Sequence, residues 1–500
     1  MPERPEPVRD LDWDPDRARR LGEDAVELWV ELLARLPDLP VNRPFRADEV
    51  RDALAIDVPE EPLERGELLG SLRALVLENS MYPGHPGFLA YISGAGSVPG
   101  AAADLLASAL NQNCGAFRLS PGASTIEEHL MRWLAGRFGL PDGAGGHVVA
   151  GGAVANLVGL KVARDRANEE AREGGVREGP RLALYASAES HVVQQRAADL
   201  LGLGSEAVRP IGVDDRWRMR PDALAEAIER DLAAGIVPAA VVATAGTTAT
   251  GAIDPLPAIA ELCEGAGTHL HVDACYGGPA VLADELRPQL AGIERADSIA
   301  VDAHKWLYTP LLGGCVLVRD VRHLIASFAT DPTYIWLDQD LRQGVDFTMQ
   351  GPDFSRGFAA LRIWLSLLAH GRAAYGRRIA HDVALARYLG ELVEEHPDFE
   401  LMTPVSLSIC CFRYAPVALR GDDEALDRLN QRLLTAVMGD GRVYCSNAVL
   451  NGRFCLRACI VNFRTEAEQV ELLLEVAAEH GARLAAGRAT RSRSETDRRE

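Results

Sequence analysis

The chain has 500 residues, 47% hydrophobic and 25% charged, with a formal net charge of −20. That length allows two to four structural domains around cores that need no disulfide or metal staple. No apolar run reaches the roughly 18 residues that span a bilayer, and an acidic chain without a Lys/Arg block excludes a phosphate-backbone partner, so neither membrane nor nucleic acid is expected.

In chain order, the first twenty residues are rich in Pro, Asp and Arg and lack the apolar core of a secretory signal. Residues 1–84 carry helical apolar spacing (Ala25, Leu28, Trp29, Leu32, Leu33) broken by Pro37, Pro40 and Pro44, which predicts a helical N-terminal segment. From 85 to 372, apolar runs at 147–150, 182–187, 239–245, 269–275, 298–303 and 314–318 read as strands. Helical patterns at 154–167, 193–201, 222–233 and 255–265 alternate with them. Such alternation predicts an α/β large domain built on a mostly parallel sheet. The polar, aperiodic stretch 331–354 reads as a functional lid. Residues 373–485 predict a small α+β domain, with strands at 406–413, 441–445 and 453–460 and helices at 422–437 and 465–482. The tail 486–500 reads as disordered. The nine cysteines are scattered without a C-x-x-C pair, so free thiols in a reducing cytoplasm are expected.

Of the 52 basic residues, two are lysine, Lys161 and Lys305, so 52 − 2 = 50 are arginine. A chain that writes Arg wherever a cation suffices keeps lysine where an amine nucleophile is needed, because a guanidinium cannot form a Schiff base. Lys161 sits in an amphipathic helical pattern, where the choice of cation is incidental. Lys305 ends the strand-like run Ser298-Ile299-Ala300-Val301-Asp302-Ala303-His304-Lys305.

Three more segments bear on it. Gly151-Gly152-Ala153 is a glycine turn from strand to helix, where backbone can approach a phosphate at the helix N-terminus. His191 follows the strand at 182–187, on the sheet edge where α/β folds bind ligands, and its flat ring can stack. In His269-Leu270-His271-Val272-Asp273-Ala274-Cys275, period-two alternation puts His269, His271 and Asp273 on one face, with Asp273 at the carboxyl end. A carboxylate there can keep a pyridine nitrogen protonated. Ser298 and His304 are candidate phosphate donors. Each signal has a bland reading, a tight turn or a satisfied core polar group; jointly they supply the parts of a pyridoxal phosphate site.

With these motifs in view, the chain resembles the group II pyridoxal-phosphate-dependent amino-acid decarboxylases, nearest the aromatic-L-amino-acid branch. The resemblance runs from His85-Pro86-Gly87-Phe88 to Asn462-Phe463-Arg464. It rests on Ser120-Pro121, the glycine turn, His271-Val272-Asp273-Ala274, Asp302-Ala303-His304-Lys305-Trp306 and Asp331-Pro332-Thr333-Tyr334. It implies a fold-type I transferase-like architecture and a homodimer with active sites at the interface. Lys305 would carry the cofactor as an imine, Asp273 would face the ring nitrogen, and His191 would cover the ring. Thr244 would lie near the ring oxygen, with Gly152, Ala153, Ser298 and His304 around the phosphate. Tyr334, in the D-P-x-Y segment, is associated in such proteins with returning a proton to the substrate carbon; relatives with phenylalanine there give aldehydes.

Two departures stand out: Ala153 replaces a usual Ser or Thr, and Cys275 a usual alanine beneath the ring. Tyr91, Ile92 and Ser93, with the partner's Asn113, Cys114 and Gly115, are expected to line the substrate pocket. These expectations favour decarboxylation of an aromatic L-amino acid to the amine. Glutamate, diaminobutyrate or another aliphatic substrate, and aldehyde synthesis, are alternatives. A rival from another class is a metal-dependent hydrolase on the H-x-H-x-D strand.

Overall fold

The computed structural model describes residues 5–6, 8–9, 11–177, 179–330 and 344–496, with 487–496 by backbone alone. The N-terminal segment is helical, as its spacing predicts: α1 (Pro15–Arg35), α2 (Ala47–Leu54) and α3 (Arg65–Arg73). Asp14 caps α1 by accepting from the Asp16 and Arg17 N–H groups. None of these three helices buries a residue within its own chain.

The short strand β1 (Phe88–Leu89) precedes α4 (Val98–Leu110) and α5 (Pro121–Arg137). The large sheet then follows: β2 (Gly145–Val149), α6 (Gly152–Ala167), β3 (Leu182–Ser187), α7 (Val193–Leu200), β4 (Val208–Ile211), α8 (Pro221–Ala233), β5 (Val237–Thr244), α9 (Leu256–Ala266), β6 (His269–Asp273), β7 (Ser298–Asp302), α10 (Ala303–Trp306), β8 (Gly314–Val318) and α11 (Arg322–Phe328). Its order is β2-β8-β7-β6-β5-β3-β4. Strands β3 to β7 pair in parallel, while β8 is antiparallel to both its neighbours. The sheet is therefore mixed, with the carboxyl ends of β3, β5, β6 and β7 on one edge.

Alternation divides the core. Leu184, Ala186, Ala240 and Val242 pack with Leu160, Ala163 and Ala197 under α6 and α7. Ala183, Tyr185, Val241 and Ala243 join Leu224, Ile228 and Ile259 of α8 and α9 on the other face. Burying both faces removes these Val and Leu side chains from water at roughly 1.5–3 kcal/mol each.

The smaller unit holds α12 (Ala360–Glu395), β9 (Phe399–Leu401), β10 (Ile409–Tyr414), α13 (Asp423–Asp440), β11 (Tyr444–Leu450), β12 (Arg453–Cys459) and α14 (Ala467–Thr496). Its sheet order is β1-β11-β12-β10-β9. Phe88 pairs in parallel with Tyr444, so a strand from the start of the large unit completes the small sheet. Gly371, at φ 72°, breaks α12 next to the boundary expected at 372.

Two expectations change, and a third concerns residues outside those described. β4 and β9 are strands the pattern does not announce, because Val208-Arg209-Pro210-Ile211 and Phe399-Glu400-Leu401 are short edge segments without clean alternation. Helix α14 covers most of the tail read as disordered, its Ala- and Arg-rich stretch continuing the pattern of the helix before it. The lid motif Asp331-Pro332-Thr333-Tyr334 lies outside the described residues.

Candidate active site

A cavity opens at the carboxyl edge of the large sheet, lined among others by Gly152, Ala153, Asn156, His191, Thr244, Asp273, Cys275, Asp302 and Lys305. A larger cleft of about 560 Å³, lined by Arg216, Arg218, Gln289 and Ser406, has no amine nucleophile, carboxylate or imidazole in its lining, so size alone does not select the site. Lys305 sits on α10, directly after β7. Its Nζ lies 3.0 Å from Asp302 Oδ2. Burial disfavours the ammonium form, but the Asp302 and Asp273 carboxylates outweigh it and raise the amine's pKa.

Asp273 ends β6 and is buried. Its Oδ1 accepts from the Cys275 N–H at 3.2 Å and its Oδ2 from Gln194 Nε2 at 3.1 Å. His191, between β3 and α7, is exposed at the cavity mouth. Its Nδ1 accepts from the Val193 N–H at 3.2 Å, which leaves the neutral ring's proton on Nε2. Burial of the ring's inner part lowers its pKa, with Asp273 pulling the other way. The Cys275 thiol lines the cavity, and burial raises its pKa, so it stays protonated.

Whether these residues fit pyridoxal phosphate is tested by the polar atoms they leave unpaired. Thr244 Oγ1 and Asp302 Oδ1 line the cavity buried and without a hydrogen bond, as does Gln194 Oε1 behind it. Buried polar atoms without partners are costly unless a ligand satisfies them. Helix α6 opens at Gly152; the Val154 and Ala155 N–H groups donate to the Gly151 carbonyl, while those of Gly152 and Ala153, two residues that line the cavity, have no intrahelical acceptor and suit an anion. Glycine is required there: a Cβ on Gly152 would stand 2.5 Å from Cys275 Sγ and 2.6 Å from Asp302 Oδ2. An amine, a buried carboxylate, a flat ring and an anion-binding turn around one cavity fit the cofactor's aldehyde, ring nitrogen, ring face and phosphate.

The structure thus brings together Lys305, Asp273, His191, Thr244, Gly152, Ala153 and Cys275. His304 lies beside them, outside the lining, with Nδ1 accepting from the Gly313 N–H at 3.2 Å and 3.8 Å from Asp302 Oδ1. Ser298 is placed elsewhere. It begins β7, at the opposite end of the strand from Lys305, and its Oγ is held at 2.7 Å by both His269 Nε2 and His271 Nδ1. A five-residue strand separates its ends by roughly 13 Å, too far for one side chain to serve both edges.

Tyr91, Ile92 and Ser93 are also absent from the lining. The Tyr91 carbonyl accepts from Arg457 Nη1 at 3.1 Å, and its ring lies among Phe88 and Tyr444. Cys114 is fully buried in its own chain, so its side chain is not offered to a partner. The H-x-H-x-D metal reading fails on geometry: every ring nitrogen of His269 and His271 is already hydrogen-bonded, to Arg166, Ser298 and Asn156.

Pattern reading missed Asp302, Gln194 and Asn156. Asp302 carried a signal, standing at the last position of the strand that delivers Lys305.

Comparison with known proteins agrees with this geometry. Residues 48–415 match the family model described as the pyridoxal-dependent decarboxylase conserved domain. The chain is 34% identical over 465 residues to an aromatic-L-amino-acid decarboxylase of Bacillus atrophaeus, covering 93% of this chain and 95% of that one. It is 30% identical over 469 residues to a phenylacetaldehyde synthase of Arabidopsis thaliana, covering 92% and 94%. The crystal structure of Oryza sativa TDC with PLP and tryptamine superposes with a TM-score of 0.90 at 29% identity, covering 95% of this chain and 99% of that one. With most of its length matched, the chain belongs to the pyridoxal-dependent decarboxylase family and is a pyridoxal-phosphate-dependent amino-acid decarboxylase.

Proposed function

We propose that this protein decarboxylates an aromatic L-amino acid to its amine, in the cytoplasm, as a homodimer. The observation that carries the chemistry is the convergence of Lys305, Asp273, Thr244 and the Gly152 turn on one cavity. The aromatic assignment is supported by similarity to an aromatic-L-amino-acid decarboxylase over nearly the full length of both chains. The dimer is supported by apolar surface the single chain leaves open: Leu105, Leu106 and Leu110 on α4, and Leu311 and Leu312. For location, no helix among the described residues is long and apolar enough to cross a membrane, and all nine cysteines are free thiols.

When bound, pyridoxal phosphate supplies a ring that accepts the electron pair released as carbon dioxide departs. Lys305 Nζ is the amine that would hold the cofactor through its aldehyde, and Asp302 Oδ2, 3.0 Å away, would take up a proton from that amine. Asp273 would keep the ring nitrogen protonated, Thr244 Oγ1 is the donor available to the ring oxygen, and the α6 N-terminus, with Gly152 and Ala153, would hold the phosphate. His191, at the cavity mouth, would cover the ring. Tyr334, on the strength of its D-P-x-Y motif, returns the proton to the substrate carbon.

The phenylacetaldehyde synthase among the relatives favours one second reading, aldehyde formation with oxygen consumed. Tyr334 stands against it. The test is to supply each aromatic, acidic and basic amino acid to the cofactor-loaded protein and to follow amine, carbon dioxide and oxygen. Amine and carbon dioxide in equal amounts from an aromatic substrate, without oxygen uptake, is the expected result. Release from glutamate or diaminobutyrate alone would overturn the aromatic assignment, and oxygen uptake the amine product.

A further inference from the structure

Behind the cavity wall, a chain of buried polar groups runs between α6, α7, β6 and β7. Asn156 is its hub. The Asn156 Nδ2 donates to the Gly152 carbonyl at 2.8 Å and toward Cys275 Sγ at 3.6 Å. Its Oδ1 accepts from Gln194 Nε2 at 3.0 Å and from His271 Nε2 at 2.9 Å. The same Gln194 Nε2 donates to Asp273 Oδ2 at 3.1 Å. Asn156 and Gln194 are both buried.

The polarity of every link is fixed by chemistry. An amide oxygen only accepts, so His271 carries its proton on Nε2 and its Nδ1 accepts from Ser298 Oγ at 2.7 Å. Ser298 Oγ then accepts from His269 Nε2, and His269 Nδ1 accepts from Arg166 Nη1 at 3.1 Å. From Arg166, itself 3.0 Å from Asp297 Oδ1, each donor points inward toward Asn156. Flipping the Asn156 amide would set its oxygen against the Gly152 carbonyl and its nitrogen against the Gln194 and His271 donors, so the arrangement has one consistent state.

We propose that Gln194 and Asn156 are positioning residues for the decarboxylation: Gln194 holds the Asp273 carboxylate as the anion facing the ring nitrogen, and Asn156 ties that carboxylate to the phosphate turn. This rests on Asp273 facing the ring nitrogen, as the function above requires. A donor on Oδ2 stabilises the carboxylate over the carboxylic acid, so a shared proton stays on the ring. With Oδ1 held by the Cys275 N–H and Oδ2 by Gln194, the carboxylate plane cannot turn. Because Asn156 also grips the Gly152 carbonyl, the two anchoring points of the cofactor are set by one side chain.

The titratable groups around Asp273 are Asp302 at the end of β7, Lys305 after it, His191 before α7, Cys275 after β6, and His271 on β6. His271 is lowered to about 3 by burial, so it stays neutral and adds no titration near neutrality.

The experiment uses full-length protein loaded with pyridoxal phosphate labelled at the ring nitrogen. It reads that nitrogen's chemical shift against pH, alongside kcat, KM, cofactor affinity and thermal stability. In Gln194→Leu the ring should lose its proton about one pH unit lower, with kcat down about tenfold, the scale of one hydrogen bond to a charged group. KM and cofactor affinity should hold within about twofold, because Gln194 touches neither substrate nor phosphate. Gln194→Glu keeps size and polarity and supplies a donor only when protonated. It should match the parent at acid pH and fall below Gln194→Leu at alkaline pH, where two carboxylates face each other.

An unchanged ring-nitrogen titration in both variants, whatever their thermal stability, overturns the proposal. So does a Gln194→Glu profile without the acid-side recovery. A parent protein that binds no pyridoxal phosphate overturns the functional reading itself, a result distinguishable from either.

Discussion

The two ends of strands β6 and β7 both carry buried polar side chains and differ in how completely those side chains are paired within the fold. At the amino ends, His269, His271, Ser298 and Asp297 are closed among themselves with Arg166 and Asn156, each imidazole nitrogen and the serine oxygen engaged. At the carboxyl ends, Asp302 Oδ1, and Thr244 Oγ1 on neighbouring β5, are buried without a hydrogen bond, beside a lysine that raises no chain of its own. A buried polar group that finds its partner in the fold contributes to stability. One that is held open beside a nucleophile is kept for a ligand.

Substitutions at the two ends should therefore separate chemistry from stability. The largest effect is expected at Asp273. Asp273→Asn keeps the shape and removes the charge, and kcat should fall by roughly a hundredfold or more, on the scale of a preorganised charge partner in a site closed to water. Its unfolding midpoint should change far less, and a mutant retaining parental kcat would remove Asp273 from the chemistry.

Next is Gly152→Ala. The added Cβ, 2.5 Å from Cys275 Sγ and 2.6 Å from Asp302 Oδ2, forces the turn to shift. Overpacking of this kind costs about 1–3 kcal/mol, and here it should appear chiefly as weaker cofactor binding in a fluorescence titration.

At the other end, Ser298→Ala strands two buried imidazoles, so urea unfolding should show a loss of about 1–3 kcal/mol. Cofactor affinity should stay near the parental value; a large loss of affinity would restore Ser298 to the phosphate site where its sequence position first suggested it.

A further effect is in pH. Burial lowers His269 to about 4 and His271 to about 3 in the fold, against an ordinary value near 6.5. Between those values the unfolded chain binds more protons, so stability should rise with pH from about 4 to about 6.5 and fall on acidification. His269→Asn should flatten that slope, measured by urea unfolding across the same range.

The contrast between the two strand ends also marks what could be read without coordinates. Asp273, Lys305 and the Gly152 turn were legible because each stands where a strand hands over to a turn, a place where residue type and position carry the meaning together. Ser298 was misplaced because a strand motif was read as one unit, although its first and last residues serve opposite edges of the sheet. The pairing of Phe88 with Tyr444 lay beyond any local pattern, since the two partners are far apart in sequence. Gln194 left a trace that went unused: with Ala197, Ala198 and Leu201 it occupies i, i+3, i+4 and i+7, so an amide stands on a buried helix face. A polar residue at a core position is a reason to look for what it holds, and here it holds the Asp273 carboxylate.

The most direct measurement concerns the amine. The chain has two lysines, and Lys161 is already paired with Asp165 Oδ2 at 2.6 Å and the Ser327 carbonyl at 2.7 Å. Borohydride reduction of the cofactor-loaded protein, followed by peptide mass spectrometry, should place the phosphopyridoxyl group on the peptide containing Lys305. Finding it on Lys161, or finding Lys305 unmodified in protein that still turns over amino acids, would contradict the account at its base.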